Sequence, residues 1–326
     1  MRYSCVKCTE SRFQISKYST MIDNLGVVLS GGGVKGVAHI GFLEALKEHG
    51  IQADYIAGSS AGALVGALYA SGYSAKEMLA FFKDTPLINW QYYSMTKPGL
   101  LDTEKYQVFF EKYFPEDAFE SLNKKLFVFT TELESGKSVA HTKGPLIKPL
   151  MASCSIPLIF SPISINGALH ADGGVMNNFP VEPLADMGLE HILGSYVCAP
   201  LPTQKKNLNI SVKVMLRAME LSQEALSINK FTYCDYVLAP TALAKISLLS
   251  TKDIDKAYQI GYEYTLKHLD QILEALLLDL PLRPRNALAS FSIARVEDDH
   301  EEESPKQVEE SSFFDIWPFN LAFGKN

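Results

Sequence analysis

Two glycine-rich turns, fewer than thirty residues apart, constrain this chain more than anything else in it. Gly31-Gly32-Gly33-Val34-Lys35-Gly36 follows the apolar run Leu25–Leu29, and Gly58-Ser59-Ser60-Ala61-Gly62 follows Tyr55–Ala57. Short apolar runs that end in glycine turns and open into helical patterns are the mark of buried parallel strands with crossover helices. The second turn is also a G-x-S-x-G elbow, which lifts a serine oxygen off the end of a strand, and the first can aim several backbone N–H groups at one anion. A serine that attacks an ester needs both, so the pair points to acyl hydrolysis.

The surrounding pattern extends the α/β reading. Helices are expected at Val34–His49, Ala61–Ala70, Ser74–Lys83, Thr103–Tyr113 (with Asp102 or Thr103 as N-cap), Leu146–Ala152, Val181–Met187, Val212–Asn229 and Ile254–Leu278. Strands are expected at Leu126–Thr131, Ser138–His141, Ile163–Ile165, Leu169–Ala171, His191–Val197 and Tyr236–Leu238, with Asn166-Gly167 as a hairpin turn. The helix after the elbow is small and apolar on every side, which predicts burial.

Charge is uneven. The net −7 resides in residues 297–326, which hold nine acids and two bases, while residues 1–296 balance 28 of each. A neutral body offers no basic face of the size nucleic acid requires. The acidic stretch reads as a disordered linker. It precedes an aromatic cluster, Phe313 to Phe323, which either folds back over an apolar groove or docks on a partner or membrane. Residues 1–20 read as an N-terminal extension, 21–290 as the folded domain and 291–326 as linker and tail. Five cysteines lack scaffold spacing, and Cys5-x-x-Cys8 has no second pair to complete a zinc site. No stretch has the length of a membrane span or a secretory signal, so a cytoplasmic protein is expected, with transient membrane-surface contact left open.

Gly31, Gly33 and Gly36 also satisfy G-x-G-x-x-G, the dinucleotide fingerprint. That reading wants an acid at the end of the second strand, whereas Asp54 precedes the strand and the strand ends in the elbow. Ser60 is the candidate nucleophile and needs a base. A Ser60–Asp172–His191 order can be written, and His170, two residues before Asp172 on the same strand face, is the best imidazole candidate. His39 reads as a packed or capping residue. Asp172-Gly173-Gly174 offers the better site, an acid held at a strand end on a tight turn. Lys35 either adds positive charge beside the loop or is a surface lysine without a role. Leu64, Leu68, Ile156, Leu158, Ile159 and Phe160 could line an acyl groove or form core.

In order, these motifs resemble the patatin-like phospholipases. The similarity runs from about Gly26 to Asp186, and more loosely to about residue 280. It also takes in Ala152-Ser153-Cys154-Ser155-Ile156-Pro157 with Phe160 and Pro162, and Asn177, Asn178 and Pro180 after Asp172-Gly173-Gly174-Val175. The resemblance implies a three-layer α/β/α sandwich with a mainly parallel central sheet. It implies a Ser60–Asp172 dyad, with oxyanion donors from Gly31, Gly32, Gly33 and Ala61. Lys35, Gly36, Gly58, Gly62, Gly173 and Gly174 support the motifs. Neither metal nor cofactor is implied, and the substrate is a phospholipid or other fatty-acyl ester. Lys35 stands where the family often has Arg, which keeps the charge and loses the planar fork. A catalytically silent scaffold that recruits partners through its aromatic tail is the alternative.

Overall fold

The computed structural model describes residues 24–86 and 89–277. The N-terminal extension with Cys5 and Cys8, the acidic linker and the aromatic tail lie outside the described residues.

β1 (Gly26–Leu29) leads through a 3-10 turn, Gly33–Val37, into α1 (Ala38–Glu48). β2 (Tyr55–Ser59) leads through Ser60 into α2 (Ala61–Ala70), followed by α3 (Ala75–Asp84) and α4 (Gln107–Tyr113). Next come β3 (Lys125–Glu132), β4 (Lys137–His141), α5 (Ile147–Ser153), β5 (Ile163–Ile165) and β6 (Ala168–Asp172). The rest comprises α6 (Glu182–Asp186), β7 (Ile192–Ser195), α7 (Ser211–Ser227), β8 (Tyr236–Leu238), α8 (Ile254–Lys267) and α9 (Leu269–Leu277).

Local chemistry sets the helix ends. α1 and α2 both stop in Schellman motifs, with Gly50 (φ 76) and Gly72 (φ 91) in the left-handed region. The closing bonds run from Ile51 N to Leu46 O and from Tyr73 N to Leu68 O. α3 starts in a capping box between Ser74 and Glu77. Asp102, rather than Thr103, caps the 3-10 turn Thr103–Tyr106 that precedes α4. Asn166 and Gly167 both have positive φ, as the two-residue turn joining β5 to β6 requires.

The sheet runs β5-β6-β3-β2-β1-β7-β8, with β4 also on β3. β3, β2, β1, β7 and β8 are mutually parallel, and β4, β5 and β6 make antiparallel pairs. The sheet is therefore mixed, with a parallel majority. Alternate residues feed two apolar layers. Val27, Leu29, Ile56, Leu126 and Val128 face one side with α1, α2, α8 and α9. Val28, Ala57, Ile192 and Val237 face the other with Phe179, Leu184 of α6 and Phe231. The layers are unequal, since the second side is covered chiefly by the short α6 and by irregular segments.

One expected helix is two. Ile254–Leu278 breaks at His268, which leaves helical geometry while its Nδ1 bonds the Tyr264 carbonyl at 2.8 Å. The break redirects the chain so that Leu269, Ile272 and Leu276 of α9 reach the core. α8 crosses α1 with backbone against backbone. A Cβ at Gly261 would fall on the carbonyl of Ala38, and one at Gly41 on the carbonyl of Tyr258.

Candidate active site

β3 brings together two residues that are far apart in sequence. β4 occupies one edge of β3, opposite Val128 to Glu132. On the other edge β2 pairs as far as Ser59 with Phe129, and β6 then takes over, Asp172 pairing with Thr130. The residue after β2 and the last residue of β6 therefore meet end to end on one ladder. Ser60 Oγ donates to Asp172 Oδ2 at 2.6 Å.

Ser60 sits at φ 51, ψ −126, a strained backbone for a residue with a Cβ, and the elbow imposes it. Its N–H donates to Ser153 Oγ at 2.8 Å, and Ser153 Oγ donates to the Phe129 carbonyl at 2.6 Å. The turn tolerates no side chain at its glycines. A Cβ at Gly62 would meet the Leu29 carbonyl, and one at Gly58 would meet the backbone of Ala63. Gly36 lies directly against the Cβ of Ala61, which brings the glycine loop onto the elbow.

Asp172 is 4% exposed, with its Oδ1 accepting the Gly174 N–H at 2.7 Å. Thr131 Oγ1 donates to its carbonyl, and its own N–H donates to Ser155 O. Burial pushes its carboxyl up to about 6, against the opposing pull of the Ser60 hydroxyl and the Gly174 N–H.

Among the described residues, no protein acceptor takes the N–H of Gly32, Gly33 or Ala61, all of which lie around Ser60. The Gly31 N–H is engaged by the Asn178 carbonyl at 3.3 Å. Of the four expected oxyanion donors, the structure thus leaves three unengaged.

Lys35 is not a surface residue. It is 5% exposed, and its Nζ binds Glu220 of α7 at 3.0 Å. Arg217 approaches the same carboxylate at 3.3 Å. Glu220 thereby offsets the Lys35 charge beside the loop.

The imidazole candidates do not reach Ser60. His170 Nδ1 and His141 Nε2 both lie 2.8 Å from Thr130 Oγ1. The face parity with Asp172 is right, but His170 pairs with Glu132, two residues further along β3 from the elbow. His191 precedes β7 and lies at the end of the parallel strands opposite Ser60, its Nδ1 3.9 Å from Asp235. His39 is fully buried and structural. It joins the Ser30 carbonyl to Ser195 Oγ, and burial lowers its imidazole to about 4. Among the described residues, no histidine bonds Ser60 or Asp172.

Two cavities open on Ser60. One, of about 810 Å³, is almost wholly apolar and is walled by Leu64, Phe81, Phe82, Tyr106, Phe110 and Met151. Of the groove residues expected from sequence, Leu64, Ile156 and Phe160 line it, Leu68 and Ile159 are buried core, and Leu158 is exposed. The aromatic wall from α3 and α4 was not expected; its sequence signal is only the ordinary apolar stripe of amphipathic helices. The second cavity, of about 460 Å³, is more polar and includes Asp172, Asn178, Glu220 and Gln223.

Residues 27–185 match the family profile described as Patatin-like phospholipase. This stretch is a patatin-like phospholipase domain. Lysophospholipase NTE1 of Candida albicans is 30% identical over 175 residues, covering 52% of this chain and 13% of that protein. An uncharacterized NTE family protein of Mycobacterium bovis is 33% identical over 169 residues, covering 51% of this chain and 47% of its own. The chain thus spans less than half the length of either relative. VipD from Legionella pneumophila aligns with a TM-score of 0.44 at 16% identity, over 77% of this chain and 67% of that one. The patatin-like match ends at Asp186's neighbour, residue 185, yet β7 and β8 complete the same sheet and α8 packs on α1. Among the described residues no helix is long and apolar enough to cross a membrane.

Proposed function

We propose that this chain is a serine acyl hydrolase for lipid esters of the phospholipase A or lysophospholipase type, with residues 21–290 as its catalytic unit. The observation that carries the reading is the 2.6 Å Ser60–Asp172 hydrogen bond at the junction of an apolar cavity and a set of unengaged N–H groups. Ser60 Oγ attacks the ester carbonyl as Asp172 accepts its proton. The tetrahedral oxyanion forms among the N–H groups of Gly32, Gly33 and Ala61, where each donor contributes about 10²–10³ in kcat. The departing alcohol takes the proton from Asp172, and water then hydrolyses the acyl-enzyme by the same route. The fatty-acyl chain lies in the apolar cavity beside Ser60. The lysophospholipase name of the Candida relative supports a monoacyl substrate. Leu158 and Met176, exposed beside Ile156 and the Asp172 turn, support contact of the entrance with a lipid surface.

The test is hydrolysis of p-nitrophenyl esters from acetyl to palmitoyl by the wild-type protein and by Ser60→Ala. Loss of turnover in the variant, with wild-type kcat/KM rising with chain length, is expected. Equal rates in the two proteins would refute the assignment. The carboxyl at about 6 also sets a pH profile. The base must be ionised, so kcat/KM should climb about tenfold per pH unit below that value and level off above it. A flat profile across that range would remove Asp172 as the base.

A further inference from the structure

The second cavity holds polar groups that the hydrolytic steps do not use. Glu220 is already engaged by Lys35 and Arg217. The remaining two are amides, Asn178 and Gln223. Asn178 is 2% exposed, and its Nδ2 reaches no oxygen or nitrogen acceptor, having only a weak contact with the Cys198 sulfur. Its polar neighbour Cys198 is a weak acceptor whose thiol is donated to the Gly31 carbonyl at 2.9 Å. Among the described residues, the Gln223 side chain makes no hydrogen bond. A buried amide without a partner carries a desolvation cost of about 1–3 kcal/mol, which a ligand can relieve.

The two amides converge on one small space. A Cβ at Gly174 would lie 2.7 Å from Asn178 Oδ1, 2.8 Å from Gln223 Nε2 and 3.0 Å from Asp172 Oδ1. The absence of a side chain at Gly174 keeps that space open, next to the carboxylate that returns the proton to the leaving alcohol. An amide offers a donor or an acceptor according to a half-turn of its end group. Two uncharged amides, in a cavity whose two carboxylates are already engaged, Asp172 by Ser60 Oγ and the Gly174 N–H and Glu220 by Lys35 and Arg217, suit a neutral hydroxyl, which both gives and takes one hydrogen bond.

We propose that Asn178 and Gln223 form a leaving-alcohol subsite that binds a free hydroxyl on the carbon next to the ester oxygen's own, as in a monoacyl glyceryl ester. The proposal rests on the hydrolase reading and adds to it the residues that select the alcohol. The acyl chain occupies the apolar cavity, the hydroxyl-bearing alcohol occupies the polar one, and the ester carbonyl lies between them at Ser60.

The experiment compares hydroxyethyl octanoate with propyl octanoate, which differ by a hydroxyl in place of a methyl group. The readout is the ratio of their kcat/KM values, which is independent of the active fraction of any preparation. Wild-type protein should prefer the hydroxyl ester, each amide contributing about three- to tenfold. Asn178→Ala and Gln223→Leu should each reduce the ratio by that factor, and the double variant should bring it close to one. Gln223 lies on the half-exposed α7, so its variant tests the subsite even if Asn178→Ala folds poorly. A wild-type ratio of one, or a ratio that both variants leave unchanged, overturns the subsite while leaving the hydrolase reading intact. Wild-type protein that hydrolyses neither ester refutes that reading and the subsite with it.

Discussion

Asp172→Asn should lower kcat/KM by about 10²–10⁴-fold, the range that general acid–base catalysis contributes, while raising the melting temperature at neutral pH. The asparagine can retain the geometry, with its oxygen on the Gly174 N–H and its amide on Ser60 Oγ. The stability gain follows from the sign of the carboxyl's shift. Burial raises it from 3.8 to about 6, so between those values the folded chain holds a proton that the unfolded chain has released. Stability from this group is fully present below the unfolded value and is lost as pH climbs through about 6. The variant is spared that loss, on the order of 1–3 kcal/mol, or several degrees for a domain of this size. Its advantage should shrink toward zero in acid. Melting curves across the pH range, alongside initial rates, check both halves. Falls in rate and in melting temperature together would mean that the carboxylate is structural.

Gly261→Ala should be the most damaging single methyl in the described chain. On an isolated helix the change would stabilise by about 1 kcal/mol. Here the added carbon falls on the Ala38 carbonyl, with the reciprocal crowding of Gly41 on α8 beside it. Backbone cannot move aside as a side-chain tip can, so α1 and α8 must separate, at a cost of about 3 kcal/mol or more. Urea denaturation reads the effect as a lower midpoint with the slope preserved. A stabilised variant would mean that the helix pair slides freely.

The two readings that went furthest from sequence, and those that fell short, differ in the range of the interaction behind them. The elbow and the glycine loop are local: their spacing, their glycines and the apolar runs before them specify strand, turn and helix without help from elsewhere. The hairpin at Asn166-Gly167 is legible for the same reason. The partner of Lys35 is not, because Glu220 lies on a helix 185 residues away and nothing near Lys35 marks the pairing. His170 shows the limit of strand parity. Alternation places its side chain on the face of Asp172, but the distance to Ser60 is fixed by register on β3, which alternation does not contain. The break at His268 was equally hidden, since the apolar stripe continues on both sides of it and the decision is made by which core the last turn can reach.

The end-to-end arrangement of β2 and β6 on one edge of β3 has a consequence for how the proposed dyad fails. Ser60 and Asp172 are neither on one loop nor on two loops that happen to close on each other. Their separation is a property of a third strand, to which neither belongs, and is held by the hydrogen bonds that hold the middle of the sheet. Fraying at the rim of the cavities can admit or release lipid without altering the distance between oxygen and carboxylate. On the proposed Ser60–Asp172 assignment, substrate access and chemical competence are therefore mechanically separate, and the first can be loosened by evolution or by design without loss of the second.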